Sequence, residues 1–208
     1  MLKPEKPSVA LYERYRKHIL LALIVVLAAG LVFVGPIWSG SVEFHENVEL
    51  FGLMLIVTAI LGRMWCTLYI GGSKNSKLIT DGPYSLSRNP LYVFSTIGAA
   101  GVGAQMGSVV MTIGSAIICY VAFYLLILIE EKRLAEYFGE DFKAYCRSVP
   151  RFFPKFTGYR DRETVTFRPH LLKATFVDGL VFFIALPLFE MLEAAQESGT
   201  IPVLLRVW

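Results

Sequence analysis

Charge is scarce along most of this 208-residue chain. Lys, Arg, Asp and Glu together make up 18% of it, and residues 91–129 form a run of thirty-nine with none of them. A soluble helix or strand needs a polar outer face, so a run of that length argues against an ordinary globular fold. Cysteine is also scarce. Cys66, Cys119 and Cys146 are an odd, scattered set of three with no CxxC pair, which argues against both a disulfide framework and a cysteine zinc site. His18, His45 and His170 include no two at ligand spacing, so no metal site is expected. There is no GxGxxG, P-loop or GxSxG motif, no repeat and no low-complexity tract. The net charge of +3 does not gather into a basic stripe on a soluble fold, so nucleic acid is not a partner.

Apolar residues are plentiful instead: the hydrophobic share is 55% and the mean hydropathy is +0.54. A helix needs roughly twenty apolar residues to cross about 30 Å of hydrocarbon. Residues 19–38 qualify, and their apolar core is too long for a cleaved signal peptide of roughly 7–15 residues. Residues 50–62 qualify if the run extends to Ile70 past Arg63. Residues 91–106 and 109–129 form a hairpin about the Gly107-Ser108 turn. Residues 175–189, interrupted by Asp178 and carrying Pro187, are a weaker fifth span, with a re-entrant or in-plane helix as the rival reading. The expectation is an all-α polytopic membrane protein of five spans, a single domain over 1–208 with its core motifs in 63–156. Lys and Arg set the orientation. In a five-span arrangement, eighteen of the twenty basic residues fall on one side, which predicts a cytoplasmic N-terminus and an external C-terminus.

The uncharged hairpin returns the chain to the face it left, so Arg88 to Tyr92 should lie close to Glu130. Tyr84, Arg88, Asn89 and Tyr92 read either as a polar turn with an interfacial aromatic belt or as a nucleotide-like pocket. In the second reading aromatic faces meet a base and a helix start offers N–H groups to an anion. Glu130 and Glu131 read either as a solvated helix end or as carboxylates needing a partner. The macrodipole disfavours acids at a helix C-terminus, and a carboxylate directly after a span calls for Arg88, a ribose hydroxyl pair or a cationic ligand. Arg63, roughly 10 Å inside its span at 1.5 Å per residue, either snorkels or faces a polar interior. Arg151 sits between Pro150 and Pro154 on a stiff backbone.

These pieces, taken in order, carry a resemblance. Gly82-Pro-Tyr84, Arg88-Asn-Pro-Leu-Tyr92, Glu130-Glu-Lys-Arg-Leu134, Phe138-Gly-Glu-Asp-Phe142-Lys-Ala-Tyr145 and Val149-Pro-Arg151 match the pattern of the isoprenylcysteine carboxyl methyltransferase family of integral membrane enzymes. The chain resembles its bacterial-type relatives over roughly residues 63–156. The resemblance implies S-adenosylmethionine as methyl donor, bound on the cytoplasmic side. It implies donor contacts from Tyr69, from Ser76, Lys77, Leu78 and Ile79, from Tyr84, from Asn89, Pro90, Leu91 and Tyr92, and from Glu130 with Glu131 beside it. Arg63, Arg88 and Arg151 are the candidate catalytic residues, with Arg63 or Arg151 suited to orienting an anionic head group. Methyl transfer from a sulfonium is an in-line displacement needing no metal, served by orientation and electrostatics. Two positions depart from the prenylcysteine enzymes. Asn89 stands where His is common and cannot act as a base, and Leu126 stands where an Arg would hold the acceptor's carboxylate. These departures argue against prenylcysteine specificity itself. A site at the membrane surface, where a cytosolic donor meets a lipid-dissolved acceptor, leads to the expectation of a lipid-soluble, prenyl- or lipid-like acceptor entering from the bilayer. The alternatives are a nicotinamide-dependent membrane reductase of sterol-reductase type, using Arg133, Arg147 and Arg151 for cofactor phosphates, and a non-enzymatic membrane protein that keeps the fold.

Overall fold

A computed structural model of the protein describes residues 34–36, 42–71, 77–202 and 205–207. Helix α1 (Val42–Ile70) is followed by the short α2 (Pro83–Leu86), then α3 (Pro90–Ala104), α4 (Val109–Phe138) and α5 (Glu140–Ser148). A 3₁₀ turn at Phe156–Gly158 precedes α6 (Pro169–Leu180), and a second at Val181–Ile184 leads into α7 (Ala185–Glu197). Two short strands, β1 (Val34–Pro36) and β2 (Leu205–Val207), pair in parallel.

The helices are apolar on the outside. On α1, Leu50, Met54, Val57 and Leu61 recur every three or four residues and are exposed, while Ile56, Ala59 and Ile60 are buried. On α4 the exposed face carries Val110, Ile113, Ile117, Val121 and Leu125. Water would penalise such faces and lipid does not. Among the described residues, three helical runs are long and apolar enough to span: Glu43–Ile70, Val109–Phe138 and Pro169–Gln196. The protein is a helical, polytopic integral membrane protein.

Small residues let the spans approach. A Cβ on Gly62 would lie 2.1 Å from the Phe94 ring, one on Gly101 2.7 Å from the Gly52 carbonyl, and one on Gly103 2.4 Å from the Met111 carbonyl. These contacts lock α1 to α3 and α3 to α4. The α3–α4 turn uses Gly107 at φ 60°, and Ser108 caps α4 by accepting from the Met111 N–H at 3.3 Å. Helix α4 is 30 residues long, about 45 Å at 1.5 Å per residue, so its last turns pass beyond the hydrocarbon and carry the chain out of the membrane.

Three expectations need revision or restriction. Of the first span, 19–38, only Val34–Pro36 are described, and they form strand rather than helix; Gly35 and Pro36 are poor helix residues and Pro lacks the N–H a helix interior requires. The remainder of that span lies outside the described residues. Helix α3 has 15 residues, about 22 Å long, shorter than a lone span requires. The segment 175–189 falls inside the Pro169–Gln196 run, where Pro187 cannot donate to the preceding turn and the helix tightens to 3₁₀ at Val181–Ile184.

The bundle has two distinct ends. One gathers His45 of α1, the Gly107 turn and Glu193 of α7. The other gathers the C-terminal end of α1, α2, the start of α3, the end of α4 and α5, and there the sequence motifs meet.

Candidate functional site

Glu131 is the hub of the motif end. It is buried on α4, and its Oε2 accepts from Arg151 Nε at 3.0 Å. Its Oε1 accepts from Asn89 Nδ2 at 3.2 Å and lies 3.4 Å from Arg88 Nε. That last contact is an ion pair without hydrogen-bond alignment, since Arg88 Nε has no hydrogen-bond partner among the described residues. A buried carboxylate is tolerated only when paired and hydrogen-bonded, and here two guanidiniums and an amide serve. Asn89 Nδ2 also donates to the Arg151 carbonyl at 3.0 Å, and the Arg88 N–H donates to the Pro150 carbonyl at 2.9 Å. The Arg88-Asn89 turn and the Val149–Phe152 strap are thus sewn together over α4. Arg151 reaches Tyr124 through Nη1 at 2.9 Å and stacks on its ring at 5.5 Å. Partial burial works against the Arg151 charge, but Glu131 and Tyr124 more than offset it and hold its pKa above the ordinary arginine value.

Glu130 has different surroundings. It is half-buried and accepts from Tyr92 Oη at 3.0 Å, so the hairpin does bring the Arg88–Tyr92 segment to the end of the fourth expected span. Tyr92 in turn packs on Phe123 with ring centroids 4.8 Å apart. Tyr84, from α2, is buried with Cys66, Tyr69 and Ile79. Its hydroxyl has no hydrogen-bond partner among the described residues. Burial above all, then Cys66, Tyr145, Glu130 and Tyr92, push its pKa well up. Tyr84 Oη is therefore a buried, neutral donor. Its backbone carbonyl accepts from Tyr145 Oη at 2.6 Å, and burial raises Tyr145 as well.

The remaining candidates divide. Leu78 packs with Phe142 and Tyr145, whereas the next residue, Ile79, packs with Tyr69 and Tyr84, the alternation expected of an extended segment. Lys77, Leu78 and Thr80 line a cleft of about 600 Å³ with Asp141, Tyr145 and Arg160. Small-molecule sites run from roughly 300 to 1,000 Å³. Pro90 opens α3 at its first turn and is buried, and Leu91 packs on the Tyr84 cluster. Ser76 lies outside the described residues. Arg63 stands apart from Glu131: Nη1 donates to Ser95 Oγ at 2.9 Å, and the guanidinium lies 5.9 Å from the Phe182 ring.

Two features escaped sequence reasoning. Tyr124 precedes Glu131 by two helical turns, a spacing that places both on one face of α4 and could have signalled it. The second is a strap over the end of α1. Tyr69 Oη donates to Asp161, Tyr159 Oη donates to Asp161 Oδ2 at 2.7 Å, and Arg162 pairs with Asp81. The Gly82 N–H donates to the Arg160 carbonyl at 2.7 Å. Gly82 has φ 59°, and a Cβ there would lie 2.4 Å from the Tyr69 ring, so the strap closes only over glycine. No local pattern in residues 156–162 announces Tyr69, Asp81 or Gly82 as partners, because these come from the α1 end and the α2 turn.

Residues 48–141 match the family described as phospholipid methyltransferase. The chain is 32% identical over 188 residues to the cobalt-zinc-cadmium resistance protein CzcN of Cupriavidus metallidurans, covering 90% of this chain and 86% of that protein. It is 31% identical over 151 residues to the nickel-cobalt-cadmium resistance protein NccN of Alcaligenes xylosoxydans xylosoxydans, covering 73% and 70%. It is 26% identical over 148 residues to protein-S-isoprenylcysteine O-methyltransferase B of Arabidopsis thaliana, covering 66% and 74%. No solved structure matches significantly.

Proposed function

This chain belongs to the isoprenylcysteine and phospholipid methyltransferase family of integral membrane proteins, as a bacterial-type relative, and we propose that it is an S-adenosylmethionine-dependent methyltransferase acting on a membrane-dissolved acceptor. The observation that carries the reading is the division of labour between adjacent carboxylates. Glu131 is engaged by Arg88, Asn89 and Arg151, while Glu130 accepts from Tyr92 and adds to the charge environment of buried Tyr84, whose hydroxyl has no hydrogen-bond partner among the described residues.

The residues present fit such a donor. Tyr84 Oη is a buried donor with no acceptor among the described residues, Glu130 suits ribose hydroxyls or an ammonium group, and the Tyr84 and Tyr92 rings suit an adenine face or a sulfonium cation. When bound, the group supplies an electrophilic methyl carbon. Glu131 acts through its partners, fixing Arg151 and Asn89 so that the Arg88–Tyr92 turn keeps its place. Arg151 is more than a third exposed at its side chain and is the cation suited to orient an acceptor's head group. Arg63, closed in by Ser95 and Phe182, is less accessible for that role. Asn89 holds the turn and takes no proton. The motif end faces the cytoplasm, by the basic-residue asymmetry. A reductase reading is not favoured, as the similar proteins are methyltransferases and metal-resistance proteins.

The test is S-adenosylhomocysteine binding by calorimetry to the detergent-purified chain. Glu130→Gln removes a charge and keeps the size. Losing a charge-assisted hydrogen bond costs about 1.5–3 kcal/mol, so affinity should fall roughly ten- to a hundredfold. Unchanged affinity in a normally folded variant would sink the assignment.

A second reading concerns setting. Two relatives carry names from metal resistance, which favours a role for the same activity under divalent-metal stress. Expression of the chain should raise a host's tolerance to zinc, cobalt or cadmium, and Glu130→Gln should cancel the gain; equal tolerance with and without the chain removes this reading.

A further inference from the structure

At the end of the bundle remote from the motifs, three side chains from two helices converge. His45 Nε2 lies 3.1 Å from Glu49 Oε1 and 3.6 Å from Glu193 Oε1, and the three ligand atoms all fall within 4.8 Å of one another. We propose that His45, Glu49 and Glu193 form a binding site for a divalent transition-metal cation of the zinc, cobalt or cadmium class, on the face opposite the methyltransferase site.

The spacing suits a shared metal. Two ligands at 2.0–2.1 Å in a tetrahedron sit about 3.3 Å apart, and the two His45 separations bracket that value. One imidazole and two carboxylates form a borderline N/O set, which selects these cations over calcium or magnesium. The charges also close: two carboxylates neutralise one divalent ion, and three protein ligands leave a fourth position for water.

The imidazole also lies against the α3–α4 turn. Gly107, at φ 60°, backs the ring so closely that a Cβ there would lie 1.8 Å from Nδ1. The Nδ1 edge is thus turned toward Gly107, and Nε2 faces the glutamates. The three side chains are 26%, 35% and 26% exposed, so they are partly withdrawn from water yet open to an entering ion. The surrounding sequence repels no cation: Lys and Arg are absent from residues 39–62, 91–129 and 174–205. Spacing along the chain could not show this site, because Glu193 comes from α7 and reaches His45 only when α7 packs beside the start of α1.

The geometry stands without the second reading above, and only the choice among cations rests on it. The competing account of the same atoms is an imidazolium between two carboxylates, and direct metal binding separates the two. The full chain in nanodiscs is titrated with Zn²⁺ against a chromophoric chelator. One equivalent should bind, and Co²⁺ should give a spectrum of nitrogen and oxygen ligation without a thiolate charge-transfer band. Glu193→Gln and Glu49→Gln should each weaken Zn²⁺ by at least the roughly ten- to hundredfold lost with an outer-shell partner. Glu46→Gln, an exposed acid of the same helix, should leave affinity unchanged. Helicity and melting temperature monitor folding, and bound Zn²⁺ should raise the melting temperature of the parent but not of the two site variants. Absence of a stoichiometric site, equal affinity across all three variants, or a thiolate band pointing to Cys146 would each overturn the proposal. None of these readings involves methyl transfer, so failure here and failure of the methyltransferase reading are distinguishable.

Discussion

Glu130 and Glu131 are consecutive on α4 and point, as helix neighbours must, in directions about 100° apart. One meets Tyr92, the other two arginines and an amide. Their substitutions should therefore separate. Glu131→Gln leaves Arg88 and Arg151 without their countercharge, and should cost about 1.5–3 kcal/mol of stability, read as a clear drop in melting temperature in detergent. Glu130→Gln should leave that temperature nearly unchanged while weakening donor binding. Tyr84→Phe isolates the other polar group. Its hydroxyl has no partner among the described residues, and removing an unpaired buried hydroxyl is neutral or stabilising, so the free protein should melt at the same temperature or higher, and S-adenosylhomocysteine should bind more weakly. A Tyr84→Phe protein that melts lower would mean that the hydroxyl is satisfied in the folded state.

At the scale of elements, the bundle depends on where glycines are crowded and where they are not. A Cβ on Gly103 would meet the backbone of Met111, which cannot move aside, whereas one on Gly114 would meet nothing within 4 Å among the described residues. Gly103→Ala should therefore prise α3 from α4 and destabilise by about 1–3 kcal/mol, the range for overpacking. Gly114→Ala should be neutral or gain up to about 1 kcal/mol of helix propensity. Thermal unfolding of the two variants compares them directly. The 156–162 strap has a pH dependence. The Tyr69 phenol, then Tyr159 and the Arg162 N–H, hold the Asp161 carboxyl below the usual carboxylate range. A carboxyl with a depressed folded pKa contributes stability above its unfolded value, about 3.9, and loses it as pH falls through the folded value. The strap should resist an acid-tolerant protease at pH 6 and become cleavable below about pH 4. Asp161→Asn should already be cleaved at pH 6, and no change in that variant would show that the strap is held by its backbone contacts alone.

For the whole molecule, the two ends make the topology testable. Glu46, Ser198 and Gly158 are all exposed; the first two belong to the His45–Glu193 end by sequence proximity, and the third lies beside the motif strap. Cysteines introduced at 46 and 198 should label from the same, external face, and one at 158 only from the cytoplasmic face. Labelling of 158 together with 46 from outside would overturn the orientation. The bundle's outward apolar faces would be a liability in water, and a membrane makes them the solvent-matched surface.

Composition and order along the chain determined that this is a helical membrane protein, that residues 91–129 turn back on themselves, and that Gly82 to Tyr92, Glu130 and Val149 to Arg151 belong to one region. Those conclusions follow from hydrophobic run length, the placement of charge and motif order, all of which are properties of the chain itself. Tertiary structure alone decided that Glu131 rather than Glu130 holds the two arginines, that Arg63 pairs with Ser95 away from them, that the 156–162 strap closes over the α1 end, and that Glu193 meets His45. Each of these depends on helix rotation and on packing between distant segments. A rotation of 100° per residue separates adjacent side chains completely, and the rotation is fixed by where glycines such as Gly62, Gly101 and Gly103 allow the helices to touch.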